Sequence, residues 1–343
     1  MIVPVAWVLG SCVGCMAMVE LMAVLEPGCM NLMTFFTFLF ISLEGVFIGT
    51  KFLTIPRRIP IKSYAKLVVV FFFVSVVNNQ ALNFRIPVPL HIIFRSGSLL
   101  ASLVLSMILM NRRYTWYKYI AVIFITAGII ICTLASSKQI KQRPGETNKD
   151  SSASSKAYLE WLAGIAMLSF ALIFSAYLGI AQEQLFGIYG KHPREALFYV
   201  HALSLPGFSI MFRDIYKHIL IFNDSEPLSV PVIGSVPKLW FYLLVLCFTQ
   251  YACIRSVYRL TSEFSALSVT LVVTLRKFLS LLLSIWYFQN PFTPLHWTGT
   301  TLVFAGALLF TDSIAQQVAG LLDLAGSRSS FLKDGFTPEK KTD

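Results

Sequence analysis

Ten long apolar stretches constrain this chain more than any other feature of its sequence. Their approximate ranges are 3–24, 31–50, 63–84, 88–110, 115–136, 158–180, 195–213, 236–258, 263–287 and 294–316. Each holds about the 20 residues that a helix needs to cross the hydrocarbon core of a bilayer. Charged residues make up only 13% of the chain, against roughly 25% in soluble domains, and the mean hydropathy is +0.70. The sequence therefore predicts an all-α, polytopic membrane protein with about ten transmembrane helices.

The arrangement of these stretches predicts two halves. Residues 136–156 are rich in Ser, Lys, Gln, Gly and Pro, a composition that cannot bury a core. We therefore expect a first five-helix unit at 1–136, a polar linker loop at 137–157, a second five-helix unit at 158–316 and a tail at 317–343. The seventh stretch contains His201 and Pro206 and is predicted to form a broken or tilted helix.

The distribution of Lys and Arg predicts the orientation. If the N-terminus is cytosolic, the cytosolic loops and tail hold 15 of these residues, and the opposite side holds nine, five of them in the linker. Cytosolic loops of membrane proteins carry an excess of Lys and Arg, so both termini are expected in the cytosol. The net charge of +11 is then a signal of topology, and no nucleic-acid partner is predicted.

The two halves resemble each other in one segment. Residues 89–133 and 268–311 each place an Arg inside an apolar span, continue with spaced serines and end in a helix rich in Ala and Gly. Arg95 precedes Gly128 by 33 residues, and Arg276 precedes Gly306 by 30. With five spans in each half, an odd number, the second half would be inverted relative to the first. Inverted repeats are typical of secondary transporters whose substrate site lies near the bilayer midplane.

Three cations, Arg95, Arg276 and Lys277, lie well inside predicted spans. An ionisable group there costs at least roughly 2.5–3.5 kcal/mol on insertion scales, so it usually faces a cavity or a partner. His91 lies one helical turn before Arg95, and Ser280 one turn after Arg276. Arg binds phosphate oxygens through two parallel hydrogen bonds, while Lys acts as a point charge. The pattern predicts an anion site and favours a diphosphate over a cation or a sterol.

Four further polar residues inside the spans are candidates for contacting a base or a sugar. They are Asn78, Asn79, Gln250 and Tyr251. Their amides offer hydrogen bonds, and the tyrosine ring offers a stacking surface. Hydrogen bonding between helices is the alternative role for each of them.

Structural roles are also open for the charged residues. Glu20 or Glu44 could pair with Arg95, or with Arg276 or Lys277, and hold helices together. His91 could be a packing or capping histidine. The serines in the spans could serve only to let helices approach closely. Four glycines at small-xxx-small spacing are expected to be helix-packing residues; they are Gly10, Gly14, Gly45 and Gly49.

Motifs of catalysis are absent from the sequence, which holds no HExxH, GxSxG, P-loop or strand-associated GxGxxG pattern. Cys12 and Cys15 have CxxC spacing but lie in an apolar span without other ligand residues. The remaining cysteines form no spaced cluster. Neither enzyme activity, a cofactor, a metal site nor a disulfide framework is predicted.

Several segments resemble the nucleotide-sugar transporters of the drug/metabolite transporter superfamily. The most specific is VTLRKF at 273–278, followed by YFQNPF at 287–292. The others are NN at 78–79, ALN at 81–83, PLH at 89–91, FRSGS at 94–98, KH at 191–192 and EALFY at 195–199. The resemblance extends over about residues 15–312 and is strongest to the UDP-xylose/UDP-N-acetylglucosamine transporter subgroup. The chain departs from the GDP-mannose carriers, which have Asn-Asn where it has Leu243-Leu244.

This resemblance implies a ten-helix inverted-repeat fold and a transport function. A cytosolic UDP-sugar, UDP-N-acetylglucosamine or UDP-xylose, would be exchanged for a lumenal nucleoside monophosphate, with Arg276 and Lys277 binding the phosphates. Two alternatives stay open. Some relatives of the subgroup accept GDP-fucose, and a proton-coupled carrier of another small anionic metabolite could use Glu20 or Glu44 to carry the proton.

The C-terminus suggests a location. Lys340 and Lys341 lie four and three positions from the end, which resembles the di-lysine retrieval signal that coat-protein machinery recognises on endoplasmic-reticulum membrane proteins. We therefore expect the endoplasmic-reticulum or Golgi membrane, with the tail in the cytosol. Asn223 begins a glycosylation sequon in a loop that is predicted to be lumenal.

Overall fold

The computed structural model describes residues 2–84, 86–111, 113–141, 151–230, 234–263 and 266–310, and this part of the chain is mostly helical. The helices are α1 (Ile2–Leu25), α2 (Met30–Glu44), α3 (Ile61–Gln80), α4 (Val88–Ser96), α5 (Ser98–Met110), α6 (Trp116–Lys141), α7 (Ser151–Tyr189), α8 (Pro193–Ser204), α9 (Phe212–Asn223), α10 (Lys238–Glu263), α11 (Ala266–Trp286) and α12 (Pro294–Leu309). Strands β1 (Pro227–Val230) and β2 (Gly234–Pro237) form an antiparallel hairpin between α9 and α10.

Among the described residues, eight helical segments are long and apolar enough to cross a membrane. They coincide with the first eight predicted stretches, and α11 and α12 occupy the positions of the ninth and tenth. The prediction of an all-α polytopic membrane protein is confirmed. The number ten and the inverted repeats stay predictions.

Two of the spans are interrupted. In the seventh, α8 ends at Ser204, a 3₁₀ segment at Leu205–Met211 contains Pro206, and α9 follows; this break was predicted, because proline cannot donate the helical hydrogen bond. The break in the fourth span at Gly97 was not predicted. A Cβ atom added at Gly97 would lie 2.6 Å from Cδ1 of Ile129, so glycine lets α4 and α6 approach closely here.

The helices on either side of the predicted linker extend into it. α6 continues to Lys141 and α7 begins at Ser151, so only residues 142–150 of the predicted loop at 137–157 lie outside the described helices. The tail at 317–343 also lies outside the described residues, and the predicted sorting signal at Lys340 and Lys341 lies there with it.

Contacts between the predicted halves are extensive. α1 packs along α10, and α6 packs along α12. In the α6–α12 contact, a Cβ atom at Gly128 would lie 2.4 Å from the carbonyl oxygen of Gly299, and one at Gly306 would lie 2.7 Å from that of Ala121. α4 also packs against α11. The fourth span thus meets the ninth and the fifth meets the tenth, which are the pairings that a two-fold relation between the halves would produce.

The glycine-spacing prediction is right at one position and wrong at three. A Cβ atom at Gly45 would lie 2.4 Å from the ring of Phe198, whereas Gly10, Gly14 and Gly49 would have no described atom within 4 Å. The spacing identifies a helix face that carries small residues. It does not say whether a neighbouring helix lies against that face.

Candidate functional site

A cavity of about 560 Å³ lies between α1, α3, α4, α5, α7, α10 and α11. Helices from both predicted halves form its walls. Six of the nine residues that the sequence predicts for substrate binding line this cavity; they are Asn78, Arg95, Gln250, Arg276, Lys277 and Ser280. The fold therefore brings together residues that lie up to about 200 positions apart in the sequence.

The three predicted cations meet in this cavity. Arg95 comes from the last turn of α4, while Arg276 and Lys277 come from the middle of α11. The cavity leaves Arg95 exposed and Arg276 and Lys277 half-buried. Within the described part of the chain, none of the three forms an ion pair with a carboxylate. Cations held within a membrane protein without counter-charges strongly favour the binding of an anion.

Neutral polar groups surround the cations. Asn78 lines the cavity from the end of α3, and Gln250 lines it from α10. The Cys15 thiol donates a hydrogen bond of 2.6 Å to Oε1 of Gln250, which leaves the amide nitrogen without a described partner. The Ser280 hydroxyl is buried and has no hydrogen-bond partner in the described protein. Both groups are therefore available to a polar ligand.

Three predicted site residues do not line the cavity, because neighbouring helices engage their side chains. Nε2 of the buried His91 lies 3.3 Å from the carbonyl oxygen of Asn78. Nδ2 of Asn79 donates a 2.6 Å hydrogen bond to the Thr34 hydroxyl. These contacts tie α4 to α3 and α3 to α2, which are the structural roles that the sequence left open.

Tyr251 is the third of these residues. Its hydroxyl donates a hydrogen bond to Glu44 and accepts one of 3.3 Å from Nη1 of Arg255. The ring lies 6.1 Å from that of Phe40. Tyr251 therefore joins α10 to α2 outside the cavity lining.

Neither carboxylate considered for pairing contacts the cavity cations. Oε1 of Glu20 accepts hydrogen bonds from the Ser284 hydroxyl (2.7 Å) and from Nδ2 of Asn290 (2.6 Å), and Glu20 itself is only 4% exposed. The Glu44 carboxylate is engaged by Tyr251. Within the described part of the chain, the alternative in which Glu20 or Glu44 neutralises Arg95 is therefore wrong.

An apolar cluster lies beyond the cavity-lining residue Ser280, toward the end of α11. Ile93, Leu281 and Val303 are fully buried there in one cluster that joins α4, α11 and α12. The rings of Phe278 and Phe304 meet edge to face at 5.4 Å within it. The hydrogen bonds from Ser284 and Asn290 to Glu20 tie α1 to the end of α11 on the same side.

The sequence model of the UAA transporter family matches residues 1–314 of this chain. The chain belongs to the UAA transporter family. It is a transporter and not an enzyme. Among UAA transporters and other curated relatives, it is similar to the zebrafish UDP-xylose and UDP-N-acetylglucosamine transporter, with 51% identity over 88% of this chain and 92% of that protein.

Two other relatives are similar over nearly the whole chain. The human nucleotide sugar transporter SLC35B4 is 50% identical over 90% of this chain and 92% of the relative. A Drosophila melanogaster protein named endoplasmic reticulum GDP-fucose transporter is 48% identical over 89% of this chain and 88% of the relative. Relatives at this level of identity thus carry the names of both uridine and guanosine nucleotide-sugar transporters.

The disulfide of this UAA transporter corrects the sequence analysis. Cys12 and Cys253 are joined across 241 residues, with their Cα atoms 4.7 Å apart, although the sequence predicted no disulfide. The spacing could not reveal it, because only the fold brings α1 and α10 together. Nη1 of Arg276 lies 3.4 Å from both sulfur atoms, so the disulfide forms part of the wall behind this cation.

Sequence reasoning also missed part of the cavity wall of this UAA transporter. α1 contributes Cys15 and Met16, and α7 contributes Leu168, Leu172 and Ser175. These residues carry no charge, and the CxxC spacing of Cys12 and Cys15 did not point to a binding site. Their role becomes visible only when the helices are assembled around Arg276 and Lys277.

Proposed function

We propose that this protein transports a UDP-sugar, either UDP-N-acetylglucosamine or UDP-xylose, from the cytosol into the lumen of the endoplasmic reticulum or Golgi. A nucleoside monophosphate returns in exchange. The observation that carries the proposal is the convergence of Arg95, Arg276 and Lys277, without carboxylate partners among the described residues, in one cavity between the halves.

The chemistry of the lining fits a nucleotide sugar. A volume of about 560 Å³ lies within the range of about 300–1,000 Å³ that is usual for small-molecule sites. The diphosphate would bind Arg276 and Lys277, with Arg95 facing them from α4. Asn78, Gln250 and Ser280 would donate or accept hydrogen bonds at the base or the sugar. A nucleoside monophosphate shares the phosphate and the base, so it can occupy the same groups.

GDP-fucose is the second candidate substrate. The relative named for its transport is 48% identical to this chain. High overall similarity therefore does not by itself show which base the transported nucleotide carries. Two features favour uridine. The names of more of the similar relatives refer to UDP-sugars, and Leu243 and Leu244 stand where GDP-mannose carriers have Asn-Asn.

Strict exchange follows from the same charges. The cavity opens on one side of the membrane at a time, and its closure removes water from the three cations. Desolvating cations without an anion is costly, so an empty carrier would resist closing and reorienting. Opening toward the side where α11 ends requires the cluster around Ile93 and Leu281 to separate, together with the hydrogen bonds between Glu20 and Ser284.

The orientation and the location belong to the same proposal. Both termini lie in the cytosol, where coat-protein retrieval machinery binds Lys340 and Lys341. The side on which α11 ends is then lumenal, and the cavity faces the cytosol. Asn223, which is exposed at the end of α9, then lies on the lumenal side, where its glycosylation sequon is accessible.

Uptake of a panel of labelled nucleotide sugars into proteoliposomes tests the substrate. The panel comprises UDP-N-acetylglucosamine, UDP-xylose, UDP-galactose, GDP-mannose and GDP-fucose, with UMP or GMP inside the vesicles. We expect uptake of one or both of the first two compounds with UMP inside. Uptake of GDP-fucose alone with GMP inside would establish the second candidate. If none is taken up by protein that nucleotides stabilise thermally, the proposal is wrong.

A further inference from the structure

A second cleft, of about 380 Å³, lies at one face of the membrane and shares no lining residue with the central cavity. It is formed where α2 and α7 end and where α3 and α8 begin. Its lining includes four cations, which are Arg57, Arg58, Lys191 and Arg194. The predicted topology places this face on the cytosolic side.

One carboxylate lines this basic cleft, and other donors already occupy it. Oε2 of Glu195 accepts a hydrogen bond of 2.9 Å from the backbone N–H of Arg58. Oε1 accepts bonds from the backbone N–H of Ile59 (3.0 Å) and from the Tyr64 hydroxyl (3.3 Å). Within the described residues, none of the four cations forms an ion pair. The basic cleft therefore keeps a strong positive charge. The hydrogen bonds to Glu195 hold the backbone at Arg58 and Ile59 in place.

Next to the lining residues Gly49 and Thr50, the chain carries exposed apolar side chains that we call the apolar rim of the basic cleft. The Phe52 and Leu53 side chains are 67% and 60% exposed, and Ile48, at the end of the second span, is 66% exposed. The Phe47 and Phe52 rings meet edge to face at 5.2 Å. Because the second membrane span ends at Gly49, this rim lies at the depth where the hydrocarbon core meets the lipid headgroups. Apolar side chains at this depth are stabilised by contact with lipid acyl chains.

We propose that the basic cleft binds the phosphorylated headgroup of an anionic membrane lipid of the phosphatidylinositol phosphate class. The four cations would hold the phosphate groups, and the acyl chains would lie against Ile48, Phe52 and Leu53. Basic pockets between membrane helices on the cytosolic side are known to bind such headgroups. A soluble nucleotide sugar would satisfy the cations as well, but it has no acyl chains to lie against Ile48, Phe52 and Leu53.

The test measures thermal stabilisation of the purified full-length protein in nonionic detergent. The probes are dioctanoyl phosphatidylinositol 4-phosphate, dioctanoyl phosphatidylinositol without the phosphate monoester, and UDP-N-acetylglucosamine. The test variant is Arg57→Ala/Arg194→Ala, which removes two exposed side chains and spares the backbone bonds to Glu195. The matched control is Arg213→Ala/Lys217→Ala, which removes two exposed charges from α9.

We expect the phosphorylated lipid to stabilise the wild type and the control alike, and to stabilise more strongly than the unphosphorylated lipid. Since each cation near a headgroup changes affinity about fivefold, the apparent Kd should rise about 25-fold in the test variant. The Kd for UDP-N-acetylglucosamine should not change. The same double substitution to Gln replaces the alanine variant if the latter is unstable.

Two results would overturn the proposal. One is equal lipid stabilisation of the test and control variants. The other is a loss of UDP-N-acetylglucosamine affinity in the test variant without any stabilisation by the phosphorylated lipid, which would make the basic cleft an entry site for the soluble substrate.

Discussion

Replacing Lys277 by alanine is expected to reduce the exchange of every accepted nucleotide sugar by about 100-fold. Lys277 lines the central cavity beside Arg276, and no described carboxylate neutralises either residue. Bound substrate would pair its phosphate with Lys277. Removing one partner of such a buried charge pair costs about 2–5 kcal/mol, and about 1.4 kcal/mol corresponds to a factor of ten in rate or affinity. The initial rate of uptake into proteoliposomes preloaded with UMP measures the effect.

Lys217→Ala is the matched control, because Lys217 is an exposed lysine of α9 outside the cavity. Its exchange rate should equal that of the wild type. Lys277→Arg, which keeps the charge, should retain part of the activity. Normal exchange by Lys277→Ala would show that this residue does not bind the phosphates. A loss restricted to one sugar would show that it recognises the sugar instead.

Gly299→Leu is expected to remove most of the folded protein. A Cβ atom at this position would lie 2.6 Å from Sγ of Cys132 and 2.7 Å from the carbonyl oxygen of Gly128. Backbone atoms cannot move aside as the end of a flexible side chain can. The helices α6 and α12 would therefore have to separate along their length. Overpacking a tight core usually costs about 1–3 kcal/mol, and the direct clash with backbone places this substitution at the high end. Gel filtration of a fluorescent fusion protein measures the folded fraction.

Gly179→Leu is the control for this substitution, since a Cβ atom at Gly179 would have no described neighbour within 4 Å. The peak of folded protein should persist for Gly179→Leu and largely disappear for Gly299→Leu. Equal peaks would mean that α6 and α12 do not pack as closely as the structure has them.

The sequence predicted the spans well because lipid leaves the backbone few choices. A long apolar stretch has to be helical, and Pro206 has to interrupt the helix that contains it. The cations were equally informative, because a charge such as Arg276 is tolerated in a span only where a cavity or a partner receives it. The lining positions of Arg95, Arg276 and Lys277 followed from that argument.

Neutral polar residues were harder to interpret. Asn78 and Asn79 are adjacent, yet Asn78 lines the cavity and Asn79 binds Thr34. Likewise, Gln250 lines the cavity and the adjacent Tyr251 does not. Successive residues point about 100° apart around a helix. Which of two neighbours reaches a cavity depends on the rotation of the whole helix. Its packing against other helices sets that rotation, and the sequence does not encode it locally.

Long-range contacts account for the remaining differences between the predictions from the sequence and the structure. The Cys12–Cys253 disulfide and the bonds from Glu20 to Ser284 and Asn290 each join residues more than 240 positions apart. The sequence around each of these residues does not indicate which distant residue is its partner. A buried carboxylate such as Glu20 suggested a partner of opposite charge, and the structure supplies neutral donors instead.

Nucleotide exchange is tested most directly by the uptake of labelled UDP-N-acetylglucosamine into proteoliposomes with and without internal UMP. A proton gradient serves as the alternative driving force. We expect uptake that requires internal UMP, releases UMP in equal amount and does not respond to the gradient. Uptake into vesicles without nucleotide that follows the proton gradient would contradict the exchange mechanism and favour a proton-coupled carrier.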